Sequence, residues 1–183
     1  MRQIVAAVCL LTLTLASSAA AQSAPPDANP YTNAIRRQHR NIGSIVVRAA
    51  EKMPEDLFSF KPTPDVRSFA EIVGHIADAH YLLCRAAGEN VFEIKRDHEL
   101  KPGSKADLIA ALKKSIDYCE KVFDGTTDAN GATPVKIGGS NPPKLMMLNN
   151  NVAHTWEHYG NLVTYMRLKG IVPPTSEPPP AKK

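Results

Sequence analysis

Three histidines hold the chemical promise of this chain. His154 and His158 stand four residues apart in NNNVAHTWEHYGNLVTYMRLKG, and His75 stands in a separate segment, SFAEIVGHIADAHYLLC. On an α-helix a spacing of four puts two side chains on one face, a turn apart, so both rings can reach one cation. If the helix carrying His75 packs alongside, three neutral nitrogens converge. Three ligands with an open fourth position make a reactive metal centre, because structural zinc sites usually close all four. The expected metal ligands are therefore His75, His154 and His158. The expected reactive group is a metal-bound water at the open position, since the cation lowers its pKa or polarises a substrate oxygen or sulfur.

Each histidine also has a plainer role open to it. His154 and His158 flank Trp156 and neighbour Tyr159 at the edge of an apolar stripe. There each ring could bond a carbonyl or hydroxyl across the core, as buried polar groups do. His75, alone, could be a core histidine. HTWEH is not the zinc-protease HExxH, in which the glutamate follows the first histidine and acts as base. Glu157 comes just before His158 and is expected to face solvent or a neighbouring helix. Asp78, three after His75, is a candidate to orient a ring from behind or to form a surface salt bridge. Asn151, three before His154, is a similar candidate. His80 lies about 140° round the helix from His75. His39 and His98 lack partners at ligand spacing.

The elements that must position these side chains read as helices. Periodicity starts near Pro30, with an apolar stripe through Ile35, Ile42, Val46 and Ala49. Ser68 and Glu71 form a capping box ahead of Phe69, Ile72, Val73, Ile76 and Ala79, and Gly88 fits the far end. Small Ala77 and Ala79 flanking His75 leave room for a second helix to approach. A third helix starts at Ser104 and runs through Leu108, Leu112, Ile116 and Cys119 to Asp124. A fourth runs from about Pro143 to Lys169, with Leu148, Val152, Trp156, Tyr159 and Val163 on its core side, and stops at Gly170. The expected fold is all-α, a four-helix bundle over residues 30–172, with a long crossover between the second and third helices. Between the last two helices, Asp124–Pro143 is a long Gly-, Thr-, Asn- and Pro-rich loop, the expected cover for the site. Residues 173–183 are expected to form a disordered, proline-rich tail.

The first 21 residues are expected to be a secretory signal, with Arg2 at its start, an apolar run from Ile4 to Leu15 and small residues up to Ala21. The run is short for a membrane span, so no stable insertion is expected after cleavage. Residues 22–29 read as a linker. The predicted location is periplasmic or secreted. The 183-residue chain carries a net charge of +4. Arg2 is the only charged side chain before Ala21, so cleavage leaves one less, +3. Lysines and arginines are scattered with no basic run, which argues against nucleic-acid binding. Cys84 and Cys119 remain in the exported part. They could bridge if level in neighbouring helices, or stay as buried thiols.

SFAEIVGHIADAH and HTWEHYGNLVTYMRLKGIVPP together resemble the DinB-like (DinB/YfiT-like) family, whose members are candidate metal-dependent enzymes. The resemblance spans roughly Asn29 to Pro174. It implies a four-helix bundle with one metal held by a histidine of the second helix and an HxxxH pair of the fourth, which here are His75, His154 and His158. It also implies zinc or nickel as the metal and a possible homodimer. Some members of that family transfer low-molecular-weight thiols, and one type isomerises maleylpyruvate. The expected function is metal-assisted hydrolysis or nucleophilic transfer on a small-molecule substrate. The competing assignments are a non-catalytic metal- or ligand-binding bundle and a purely structural one.

Overall fold

The structure is a computed structural model that describes residues 27–88 and 97–178. The expected signal segment, most of the linker and the extreme tail lie outside the described residues. The described chain is all-α. Four long helices pack around one core: α1 (Pro30–Lys52), α2 (Phe69–Ala87), α3 (Lys105–Asp124) and, after the short α4 (Asp128–Gly131), α5 (Lys144–Leu168). Among the described residues no helix is long and apolar enough to cross a membrane.

Local chemistry sets the helix ends. Pro30 occupies the first turn of α1, where a missing N–H costs nothing. Ser68 and Glu71 make the expected reciprocal capping box on α2, and Ser104 with Asp107 makes another on α3. Each such cap is worth about 1 kcal/mol. Gly170, at a φ of 72°, provides the left-handed turn that ends the last helix.

Cross-helix pairs give the helix directions. Arg36 meets Glu120 while Glu51 meets Lys113, so α1 and α3 run antiparallel. His80 meets Ser115 and Cys84 meets Cys119, so α2 and α3 run parallel. Tyr165 reaches Arg67 and Thr155 reaches His80, so α5 returns antiparallel to α2. Parallel neighbours need a connection that travels the length of the helices. The α2–α3 segment is that connection, and its last part, from Asp97, lies back along α2.

The apolar core runs through Ile42, Val46, Phe69, Ile76, Leu112, Leu162 and Met166, all at or near zero exposure. Trp156, assigned to the core side by its spacing, is instead 36% exposed. Residues 173–178 also depart from the expected loose tail. Pro174 is buried, Thr175 bonds the Tyr159 hydroxyl, and Glu177 pairs with Lys52. Residues 173–177 thus dock on α1 and α5 through these contacts, with Pro173 and Pro174 buried.

Cys84 and Cys119 form a disulfide that ties the last turns of α2 and α3. Around it lies a buried polar set. His80 bonds Ser115 through Nδ1 and Thr155 through Nε2, each at 3.0 Å. A neutral imidazole donates through one nitrogen and accepts through the other, so one of these hydroxyls turns its proton to the ring. Next to it, the Asn151 amide donates to His39 Nδ1, and His39 Nε2 donates to the Ile116 carbonyl. Asn151 therefore serves this core network rather than the histidine pair on its own helix.

Two outcomes follow from this core. The bridge spans a sequence separation of 35. Closing a loop of that size restricts the unfolded chain by about 4 kcal/mol. Reduction, or Cys84→Ser with Cys119→Ser, is expected to lower the unfolding free energy by several kcal/mol in denaturant titrations. Burial first, then the neighbouring His39 and His154, drives the pKa of His80 down from 6.5 to about 3. Burial also lowers that of His39. The unfolded chain therefore binds more protons than the folded one below about pH 6.5. Stability should fall as pH drops from there towards 3, by up to about 1.4 kcal/mol per pH unit from His80, with His39 adding in the same direction. Denaturation midpoints at pH 7.5 and pH 4.5 check the sign.

Candidate metal centre

α2 and α5 lie side by side, and this packing builds the site. On α2, Ile72, Val73 and Ile76 are buried and carry the His75 ring to the seam. On α5, Asn151, Thr155 and Leu162 form the buried stripe that places His154 and His158 on the same seam. His75 Nε2 lies 3.2 Å from His154 Nε2, which lies 3.1 Å from His158 Nε2. The three ligand nitrogens all fall within 4.8 Å of one another. Tetrahedral zinc with Zn–N of about 2.0–2.1 Å needs its nitrogens about 3.3 Å apart. The donor set fits a divalent cation in kind and in spacing. Among the described residues no fourth histidine, cysteine or carboxylate joins the group.

The orientation of His75 is set from behind. Its Nδ1 lies 2.6 Å from Glu99 Oε2. A carboxylate only accepts, so Nδ1 carries the proton and the Nε2 lone pair faces the other two rings. Glu99 is itself held by Arg67 Nε at 2.7 Å and by its own backbone N–H donating to Asp78 at 3.0 Å. Asp78 also accepts from His98 Nδ1 at 2.6 Å. Asp78 thus orients His75 at one remove, through Glu99, and neither expected role describes it fully. Burial pushes the Glu99 carboxyl up, but the bonds from Arg67 and His75 outweigh it and hold the pKa below the usual value.

Gly74 makes this approach possible. A Cβ there would sit 2.3 Å from the His98 carbonyl oxygen, a backbone atom that cannot swing away. Small neighbours of His75 were expected to leave room for a second helix; α5 does lie alongside, and at Gly74 the returning loop comes close as well. Glu99 was missed because it falls in a mixed, charged stretch 24 residues from His75, where no local spacing links the two.

On the other two rings, Nδ1 of His154 and Nδ1 of His158 are buried and lack a close hydrogen-bond partner among the described residues. Burial lowers the His154 pKa to about 4, helped by repulsion from His158 and His75. Burial, then His75, lowers that of His158. Both rings therefore stay neutral at ordinary pH, as metal ligands must. Glu157 is exposed, as its position in HTWEH suggested.

The 124–143 loop does not cover the centre. Asp128 caps the start of α1 by accepting from the backbone N–H groups of Tyr31 and Thr32. Val135 and Ile137 pack near the disulfide. That is the opposite end of the helices from Arg67 and His158. The segment at the centre's own end is the one entering α2. Asp65, Arg67 and Ile72 line a cleft of about 580 Å³ together with His158, Asn161 and Thr164.

A family model for the DinB superfamily matches residues 39–162, a span that includes all three histidines. The chain belongs to the DinB superfamily. Solved structures share its fold. A DinB-like protein of Bacillus cereus superposes with a TM-score of 0.69 at 17% identity, covering 78% of this chain and 95% of that one. A DinB-like protein of Bacillus subtilis gives 0.62 at 22% identity, covering 75% and 92%. A mycothiol-dependent maleylpyruvate isomerase gives 0.59 at 15% identity, covering 74% of this chain and 65% of that one. No curated protein matches the chain in sequence. At these identities the neighbours establish the DinB fold and leave the reaction to be argued from the site.

Removing the Glu99 charge tests the arrangement behind His75. Glu99→Gln is expected to weaken zinc binding about 10- to 100-fold in a chelator competition, the usual cost of losing a carboxylate behind a ligating histidine. Gly74→Ala should do the same indirectly by displacing the His98–Glu99 backbone. Nitrogen-15 NMR of His75 should show a protonated Nδ1 in the native protein and a mixed tautomer in Glu99→Gln.

Proposed function

We propose that this DinB-superfamily protein is an exported metalloprotein holding one divalent cation, zinc or nickel, at His75, His154 and His158. Its activity is metal-assisted hydrolysis or nucleophilic transfer on a small molecule. The observation that carries this reading is the meeting of three imidazole nitrogens with no fourth protein ligand among the described residues. A closed set of four would argue for a structural role.

A divalent cation in such a set supplies Lewis acidity, polarising a substrate oxygen or sulfur and favouring the ionised form of an attacking group. The chain's own residues divide the remaining work. Glu99 keeps the proton on His75 Nδ1 and so keeps Nε2 available. Burial keeps His154 and His158 unprotonated. The cleft beside His158, of about 580 Å³, falls in the size range of small-molecule sites and admits substrate from one side.

The chain brings no thiol nucleophile of its own among the described residues, because Cys84 and Cys119 are joined. The attacking group must come from solvent or from a second substrate. Export is supported by the leader-like first 21 residues and by that same bridge, since disulfides persist in oxidising compartments.

Metal content by mass spectrometry of the purified, untagged protein tests the centre. One divalent ion per chain is expected in the native protein and almost none in His154→Ala, His158→Ala. Equal metal in both would remove the reading. Restoring the cation to chelator-stripped protein should restore turnover of any substrate found, whereas metal-independent turnover would shift the chemistry elsewhere.

A further inference from the structure

The cleft beside the histidines has a charge pattern that selects a substrate class. This inference rests on the proposed centre and deepens it. We infer that the cleft takes a small monoanion, a carboxylate with an apolar body, whose charged end docks on Arg67.

Arg67 is tethered at two points. Its carbonyl oxygen accepts from the Tyr165 hydroxyl at 2.7 Å, and its Nε donates to Glu99 at 2.7 Å. Among the described residues its two terminal nitrogens form no hydrogen bond or ion pair, and the side chain is 45% exposed in the cleft wall. A guanidinium held at Nε and open at its fork is pre-set to grip a carboxylate with two parallel bonds. The tethers have already restricted the side chain, so less entropy is lost when an anion binds.

Charge favours one negative charge over two. Asp65 lines the same cleft, Glu99 stands behind Arg67, and Glu157 acts electrostatically on His154 and His158. These carboxylates offset most of the positive charge of Arg67 and a divalent cation, so a singly charged ligand is opposed less than a more highly charged one. Asn161 and Thr164 add polar edges, and Ile72 with the ring of Tyr165 offers an apolar wall. The far end of the ligand then lies towards His158.

Benzoate is a suitable probe, with benzamide as its uncharged isostere and inorganic phosphate as the more highly charged anion. Titrations of zinc-loaded protein are read by calorimetry and by amide NMR shifts around Val66, Asn161 and Thr164. Saturable benzoate binding is expected, at least tenfold tighter than benzamide and tighter than phosphate. Arg67→Gln should weaken benzoate at least tenfold, with Arg67→Lys recovering part of the loss. Because Arg67 also touches Glu99, a second variant avoids that contact. Thr164→Asp, which adds a negative charge to the wall, should weaken benzoate several-fold at unchanged zinc content. Equal binding of benzoate and benzamide, tighter phosphate, or wild-type benzoate binding in Arg67→Gln would each overturn the inference. Failure of the native protein to hold zinc would instead remove the centre. In that case benzoate binding to the metal-free native protein against Arg67→Gln still decides whether Arg67 receives the anion.

Discussion

The arrangement around the centre depends on three ring nitrogens drawn to within 3.2 Å of their neighbours at the α2–α5 seam. Lone pairs in that position repel unless something positive sits among them, so the protein must hold the rings there by force of packing. Buried neighbours on both helices do so, and Glu99 fixes one ring from outside. The same burial that makes the site costly to build makes its histidines hard to protonate. A structure that pays this cost twice over, once in desolvation and once in ring–ring repulsion, is organised around what the nitrogens can bind.

The parallel course of α2 and α3 follows from this need in a practical way. The described end of the connection, from Asp97, lies back along α2 and brings His98 and Glu99 to the face of α2 that carries His75. Gly74, with no Cβ, lets the backbone come close. The disulfide then pins the two parallel helices at their far ends, well away from the centre. One end of the molecule is thereby rigid and covalently closed, and the other presents the cleft.

A second polar set lies deeper, where His39 bonds Asn151 and His80 bonds Ser115 and Thr155 inside the core. The two sets share helices but not tasks. Histidines of the deep set have hydroxyl, amide or carbonyl partners on neighbouring helices. Two of the rings at the seam have a buried Nδ1 with no close hydrogen-bond partner among the described residues, and all three turn Nε2 to a common point. This contrast between satisfied and convergent rings separates a structural histidine from a candidate ligand, and residue type alone could not make the distinction.

Periodicity and caps determined the helices. Ser68 with Glu71, Ser104 with Asp107 and the stop at Gly170 act within a few residues of themselves, so they are legible without a fold. The spacing of His154 and His158 is likewise local, and it committed both rings to one face. The meeting with His75, the cysteine bridge, the reach of Glu99 and the tethering of Arg67 were decided by tertiary structure. So were the outward turn of Trp156, the docking of residues 173–178 and the placing of the 124–143 loop at the far end. Each joins positions tens of residues apart, or depends on which helix lies next to which, and no pattern along a single segment contains that information.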